Sequence, residues 1–264
     1  MVLRKMLNLA STEWQSAVAW LLIGAIFFAM RSCKYLDTKI SEIDRRTRIL
    51  RLRNITFKKN GKTIAHNNIM LDQADIVIIT FEFQKNDKRN IQIHMFRTSD
   101  GSLNPVTAWA RTVQRVWSYA DTTKDSTVCS FKNSKQKIVQ IQSTQVRDWL
   151  KTIVDLIGAE ILGFTSNDIG LHSIRSGGAM AMFLSKTSTI IMMRVGRWSS
   201  DAFLEYIREQ VENFTVDVSE NMLKFETFVN ISNDQPTDIR SSQNNKNGPD
   251  RVPFQVNYSR LSLN

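Results

Sequence analysis

The longest unbroken apolar run in this chain, Ala17 to Met30 (AVAWLLIGAIFFAM), follows Ser11-Thr12-Glu13, a helix-start signal with a hydroxyl cap and an acidic first turn. The pattern predicts a helix that continues to about Cys33 or Leu36. The run is shorter than the roughly 20 residues a membrane span needs, and Glu13 and Arg31 flank it, so it reads as a buried core helix. It is also not a signal peptide, because no small-residue cleavage site follows and the next residues are strongly charged. The rhythm then changes. Thr47 to Phe57 (TRILRLRNITF), Asp75 to Phe83 (DIVIITFEF) and Asn90 to Phe96 (NIQIHMF) are rich in branched and aromatic residues and predict three strands, the last two joined by a hairpin turn over 84–89.

Helical spacing returns after Asn104-Pro105, an N-cap followed by proline at the first helical position. Trp109, Val113, Val116 and Trp117 form its apolar stripe and are assigned to the core. Ser143 to Ile157 is a further helix, with Val146, Trp149, Leu150, Ile153 and Ile157 on one face. Three more are predicted over His172–Ser185, Ser188–Arg194 and Ser200–Phe214. The expected fold class is therefore α+β, mainly α, with a small three-stranded antiparallel sheet. Past about Ser219 the periodicity weakens, and Asn233 to Asp250 has almost no apolar residues. The expected organisation is one domain over 1–218 and a disordered or loosely attached tail over 219–264.

Charge narrows the function. A net charge of +10 with pI near 9.7 favours a polyanionic partner, nucleic acid or an anionic membrane surface. No basic amphipathic helix stands out, which disfavours the membrane. Arg45, Arg46, Arg48, Arg51, Arg53, Lys58 and Lys59 crowd one short stretch, with Lys88 and Arg89 close behind, and these, together with Arg197, are the candidate DNA contacts. Two cysteines and three histidines in no paired cluster give no disulfide framework and no metal-ligand spacing, so neither metal nor cofactor is expected. The protein is read as intracellular.

The chemistry is concentrated between His172 and Tyr206. His172 and Arg175, three apart, share a helix face and can converge on one anion. A Gly-Arg-Trp turn follows (Gly196, Arg197, Trp198), and then Tyr206, whose hydroxyl can act as an oxygen nucleophile. A phosphodiester is the anion these groups suit.

In order and context, residues 12–215 resemble the catalytic domain of the tyrosine recombinases (phage integrase family), whose pattern is Arg, Lys, His-x-x-Arg, His or Trp, and Tyr. The resemblance assigns the first Arg to Arg31 in AMRSCKYL and the Lys to Lys85 in FEFQKNDKRN, with Lys88 as the fallback. His172 and Arg175 match the pair, Trp198 the His/Trp position and Tyr206 the nucleophile. Trp in place of His and the ending SDAFLEYIR are similar to recombinases of eukaryotic mobile elements. What the resemblance implies is cleavage and rejoining of double-stranded DNA through a 3′-phosphotyrosyl link, in site-specific recombination or integration, by a homo-tetramer on paired sites. Location would then be nuclear in a eukaryotic host and cytoplasmic otherwise.

The chemistry of the assigned residues fits that reaction. Two guanidinium forks, Arg31 and Arg175, offer bidentate donors to the non-bridging oxygens of a phosphate under attack. His172 and the Trp198 indole N–H add donors, and such preorganised donors supply the largest share of many rate enhancements. Lys85 is the candidate general acid for the leaving 5′ oxygen.

The chain departs from the family pattern at three places. Lys34 stands where Glu is usual, Ser176 stands where His is usual, and Arg197 intervenes between Gly196 and Trp198, so that Arg197 competes with Trp198 for the His/Trp role. The resemblance also implies a helical DNA-clamping domain ahead of the catalytic one, whereas this sequence starts almost at the first catalytic helix, as a fragment, a truncated product or a form that has lost its clamp. The alternatives are a type IB topoisomerase-like enzyme that relaxes DNA and a domesticated protein that binds DNA without cutting it.

Overall fold

Two of the helices start at side-chain caps that the sequence supplies. The computed structural model describes residues 1–38, 48–83 and 89–198, which belong to one unit, Met1–Val211. A short helix not expected from the sequence, α1 (Val2–Leu9), precedes the apolar run. Thr12 caps α2 (Glu13–Phe27) through a reciprocal box: its hydroxyl accepts from the Gln15 amide at 3.2 Å, and the Gln15 side chain accepts from the Thr12 amide at 3.2 Å. Apolar on all sides, α2 lies among α1, α3 and α6, and Leu21, Leu22 and Ile23 are fully buried. Its assignment as a core helix holds, and among the described residues no helix is long and apolar enough to cross a membrane.

The helix ends at Phe27, earlier than expected. Ala29 turns left-handed at φ +42°, and the amides of Ala29 and Met30 bond back to Ile26 and Ala25 at 3.1 Å each. This is the Schellman closure, with alanine at a position that usually takes glycine, a conformation that costs an L-residue about 1–2 kcal/mol. The closure reverses the chain so that Met30, Tyr35 and Leu36 enter the core and Ser32–Lys34 forms a 3₁₀ turn.

The main sheet is antiparallel and has four strands rather than the expected three, in the order β2-β1-β3-β4. They are β1 (Ile55–Lys59), β2 (Lys62–Ile64), β3 (Ile76–Phe81) and β4 (Ile91–Phe96). The added strand comes from Asn60-Gly61, whose φ values of +49° and +76° make the two-residue turn that matches the twist of a hairpin, with Lys59 opposite Lys62. The strand expected from Thr47 begins only at Ile55. Upstream, the amides of Leu50 and Leu52 bond to Lys34 and Ser126 at 2.8 and 2.9 Å, so those backbone groups are used outside the sheet. Strands β3 and β4 run close to their expected bounds, with Ile79 opposite Ile93 and Phe81 opposite Ile91. A second, two-stranded sheet, β5 (Ser130–Lys132) and β6 (Ile138–Gln140), was not expected.

The later helices follow their signals. Asn104 caps α3 (Pro105–Trp117) by accepting from Val106 and Thr107 at 3.0 and 3.2 Å. Trp109, Val113 and Val116 are buried as assigned, while Trp117 is half-buried. Next come α4 (Ser143–Ile157), α5 (Ala159–Leu162), α6 (His172–Leu184) and α7 (Thr189–Gly196). The α+β class stands. The helix predicted over 200–214 and the tail from 219 lie outside the described residues.

Helix α6 meets α2 backbone to backbone at Gly178, where a Cβ would run into the Ile26 carbonyl oxygen. At Gly177 the nearest obstacle would be Ile26 Cδ1 at 3.8 Å, an ordinary contact. The two adjacent glycines therefore make opposite predictions. Gly178→Ala should destabilise the protein by about 1–3 kcal/mol as an overpacking change, whereas Gly177→Ala should be neutral or stabilise by up to ~1 kcal/mol through helix propensity. Urea denaturation of the two variants measures both.

Candidate active site

The C-terminus of α2 presents carbonyls that no further helical turn satisfies. Two arginines from far along the chain reach them. Arg175, on the first turn of α6, donates to the Ala29 carbonyl through Nη1 and to the Gly196 carbonyl through Nη2 at 2.7 Å. Arg197 donates through Nη1 to the Phe28 and Val195 carbonyls at 3.0 and 2.8 Å and through Nη2 to Ala29 at 3.5 Å. Cations at a helix C-terminus also complement its dipole. Both side chains are buried, Arg175 to 1% exposure and Arg197 to 9%.

The Gly-Arg-Trp turn explains itself locally. Arg197 takes the left-handed conformation at φ +57°, which ends α7 and swings the chain back. The Trp198 indole then lies across Gly196, in space that any Cβ there would occupy. This brings the Arg175 guanidinium 4.5 Å from the Trp198 ring centre, while the Arg197 guanidinium stacks 3.8 Å above Phe81. Arg197, read from the sequence as a DNA contact and as a rival for the His/Trp role, instead directs its donors inward. Trp198 is the residue set against Arg175.

Arg31 and His172 complete the cluster. Arg31 is the residue before the 3₁₀ turn and half-buried; His172 opens α6 and is exposed. Burial, then the charge of Arg175, then that of Arg31 hold the His172 pKa below its ordinary value of 6.5. Burial, Arg175 and Arg31 likewise push the Arg197 guanidinium well down. Arg31 and Arg175 thus act electrostatically on both His172 and Arg197, and Trp198 packs on Arg175, although 141 residues separate Arg31 from His172 in sequence.

A second group of cations gathers at the root of the β3–β4 hairpin. Phe83 is flanked by the exposed Arg48 and Arg89, whose guanidinium carbons lie 4.3 and 5.4 Å from its ring centre. Lys34, buried to 5% exposure, donates to the Phe83 carbonyl and to that of Arg48 at 3.5 Å, tying the 3₁₀ turn after Arg31 to both segments. In the sequence Lys34 stands out only as a departure from the family pattern. The signal for its burial is a lysine set within apolar neighbours, Cys33 on one side and Tyr35-Leu36 on the other.

The other expected DNA contacts divide. Lys58 and Lys59 lie on β1, half-buried and exposed. Arg53 forms a fork with Glu82 at 2.9 and 3.1 Å and pairs with Asp125, which also takes Arg51 at 3.1 Å, so carboxylates already offset these two charges. Lys85, Lys88, Arg45, Arg46 and Tyr206 lie outside the described residues. Of the other tyrosines, Tyr35 is fully buried and burial pushes its phenol well above the ordinary range, an environment opposed to a phenolate nucleophile. Tyr119 is half-buried and accepts from Arg115 at 3.3 Å. Among the described residues there is no cluster of histidine, cysteine or acidic side chains able to hold a metal ion.

Chemically, the arrangement sets the exposed His172 imidazole beside the half-buried Arg31 and the buried Arg175, and burial, then these two charges, lower the His172 pKa. Comparison with protein-family models and with curated proteins found no match for this chain.

Proposed function

We propose that this protein cuts and rejoins DNA through a tyrosine–phosphate intermediate, as the catalytic domain of a tyrosine recombinase. The observation that supports the reading is that Arg175 packs on Trp198 at the end of α2 while the charges of Arg175 and Arg31 both act on His172. In the reaction, the Tyr206 oxygen forms a bond to phosphorus while the bond from phosphorus to the 5′ oxygen breaks. Lys85 gives the departing oxygen its proton. Arg31 and His172 face the non-bridging oxygens, and the neutral imidazole can donate at one ring nitrogen and take the phenol proton at the other. The phosphotyrosyl link keeps the bond energy for rejoining.

A second reading is a DNA-binding protein that does not cut. What favours it is the engagement of Arg175 with the Ala29 and Gly196 carbonyls, which gives that guanidinium a structural task.

A suicide DNA duplex separates the two readings. Wild-type protein should form a covalent adduct, and Tyr206→Phe should abolish it while folding and binding survive; a wild-type protein that binds but leaves no adduct supports the second reading. Lys85→Ala should slow cleavage of normal DNA yet spare a bridging-sulfur phosphorothiolate, whose leaving group needs no protonation.

The two arginines should behave differently. Arg31→Ala should cost the chemical step ~3–4 kcal/mol, the scale of losing one transition-state donor, with little change in urea midpoint. Arg175→Ala should in addition lower stability by about 1–3 kcal/mol, because buried carbonyls lose their partner.

For His172, the folded protein holds the proton less tightly than the unfolded chain. Its contribution to stability is therefore full above pH 6.5 and is lost as pH falls from there to the lowered folded value. The apparent second-order rate of adduct formation reports the free protein. Its acid limb should lie below pH 6.5 and disappear in His172→Gln.

A further inference from the structure

Beside the catalytic cluster, strand β4 and helix α7 enclose a cleft of about 550 Å³ that the proposed reaction does not use. Alternation along the strand places Gln92 and His94 on one face, Asn90 precedes the strand and also lines the cleft, and all three are exposed. Across from them stands Arg194, exposed on the last turn of α7, and Arg197 and Trp198 close the end nearest the catalytic groups. No Asp or Glu is among the described residues lining the cleft. Arg197 spends its donors on the Phe28 and Val195 carbonyls, so Arg194 is the other guanidinium lining the cleft.

This lining suits an anion with more to it than one charge. Arginine, imidazole and two carboxamides are the groups that contact phosphate and sugar oxygens in protein–DNA complexes. The volume lies within the roughly 300–1,000 Å³ of sites that bury whole small ligands, so it accommodates a nucleotide-sized group and not merely a lone phosphate. Trp198 is shared, lining the cleft and packing on Arg175. We infer that the β4–α7 cleft is a DNA-backbone site, in which Arg194, with Gln92, Asn90 and His94, holds the stretch of strand adjoining the phosphate that is cut. The inference rests on the proposed reading for its strand assignment, and the cleft's binding can be tested without any cleavage.

The test is fluorescence anisotropy of a labelled duplex with the full chain over a series of salt concentrations. Arg194→Ala should weaken binding about tenfold, the scale of one charge-assisted bond, and reduce the log–log salt slope by about one, as expected when one phosphate is no longer neutralised. Arg194→Lys should recover most of both effects, because a point charge still serves a phosphate, and Gln92→Ala should weaken binding without changing the slope. Unchanged thermal melting of the variants shows that the fold is intact. An Arg194→Ala protein with wild-type affinity and wild-type slope overturns the cleft. A wild-type protein that forms the covalent adduct while Arg194→Ala binds normally overturns the cleft alone. Binding that depends on Arg194 in a wild-type protein that forms no adduct overturns the cleavage reading alone. A chain with no affinity for DNA overturns both.

Discussion

The closure of α2 is the point on which the site depends. A helix that is apolar on all sides has to be buried, and its last carbonyls are then buried with it, where unsatisfied oxygens are costly. This protein satisfies them with the guanidiniums of Arg175 and Arg197, brought from α6 and from the turn after α7. One side chain thereby fixes three things at once: the end of α2, the start of α6 and the Gly196-Arg197-Trp198 turn. The left-handed Ala29 belongs to the same closure, because its carbonyl receives both arginines. Gly178 makes the closure possible by allowing the two helix backbones to touch.

That solution sets the electrostatics. Burial first, and then the charges of Arg175 and Arg31, disfavour the protonated form of the His172 imidazole. Burial of the Arg197 charge adds to the cost. An entering anion would lower that cost, which is the physical reason for reading the cluster as a phosphate site and not only as a helix cap. The same field extends toward the hairpin root, where Arg48 and Arg89 flank Phe83 and the buried Lys34 joins the segments.

A good part of this was legible in the sequence, for reasons that are local. The caps at Thr12 and Asn104 are short-range hydrogen bonds between residues two or three apart, so the starts of α2 and α3 could be read directly. Periodicity identified α4 with its bounds and the buried faces of α3. The Asn60-Gly61 turn was also local and readable, but the expected strand stopped at Phe57, before the turn, so the short β2 beyond it was missed. The placement of His172 and Arg175 on the first turn of one helix was local as well, being set by their spacing of three.

What tertiary structure alone decided was how each charged group is used. In sequence Arg51, Arg53, Arg175 and Arg197 are four similar arginines. In the fold two are paired with Asp125 or Glu82, and two cap a helix end far away in the chain. Such partners are set by long-range contacts that no spacing encodes. The premature end of α2 was decided in the same way: nothing in Phe28-Ala29-Met30 forbids a helix, and the reversal is held by buried partners from beyond residue 170. The sequence by itself thus determined which groups are present and where the capped helices α2 and α3 begin, since these depend on neighbours along the chain; the fold determined where α2 stops and how each charge is used, since these depend on neighbours in space.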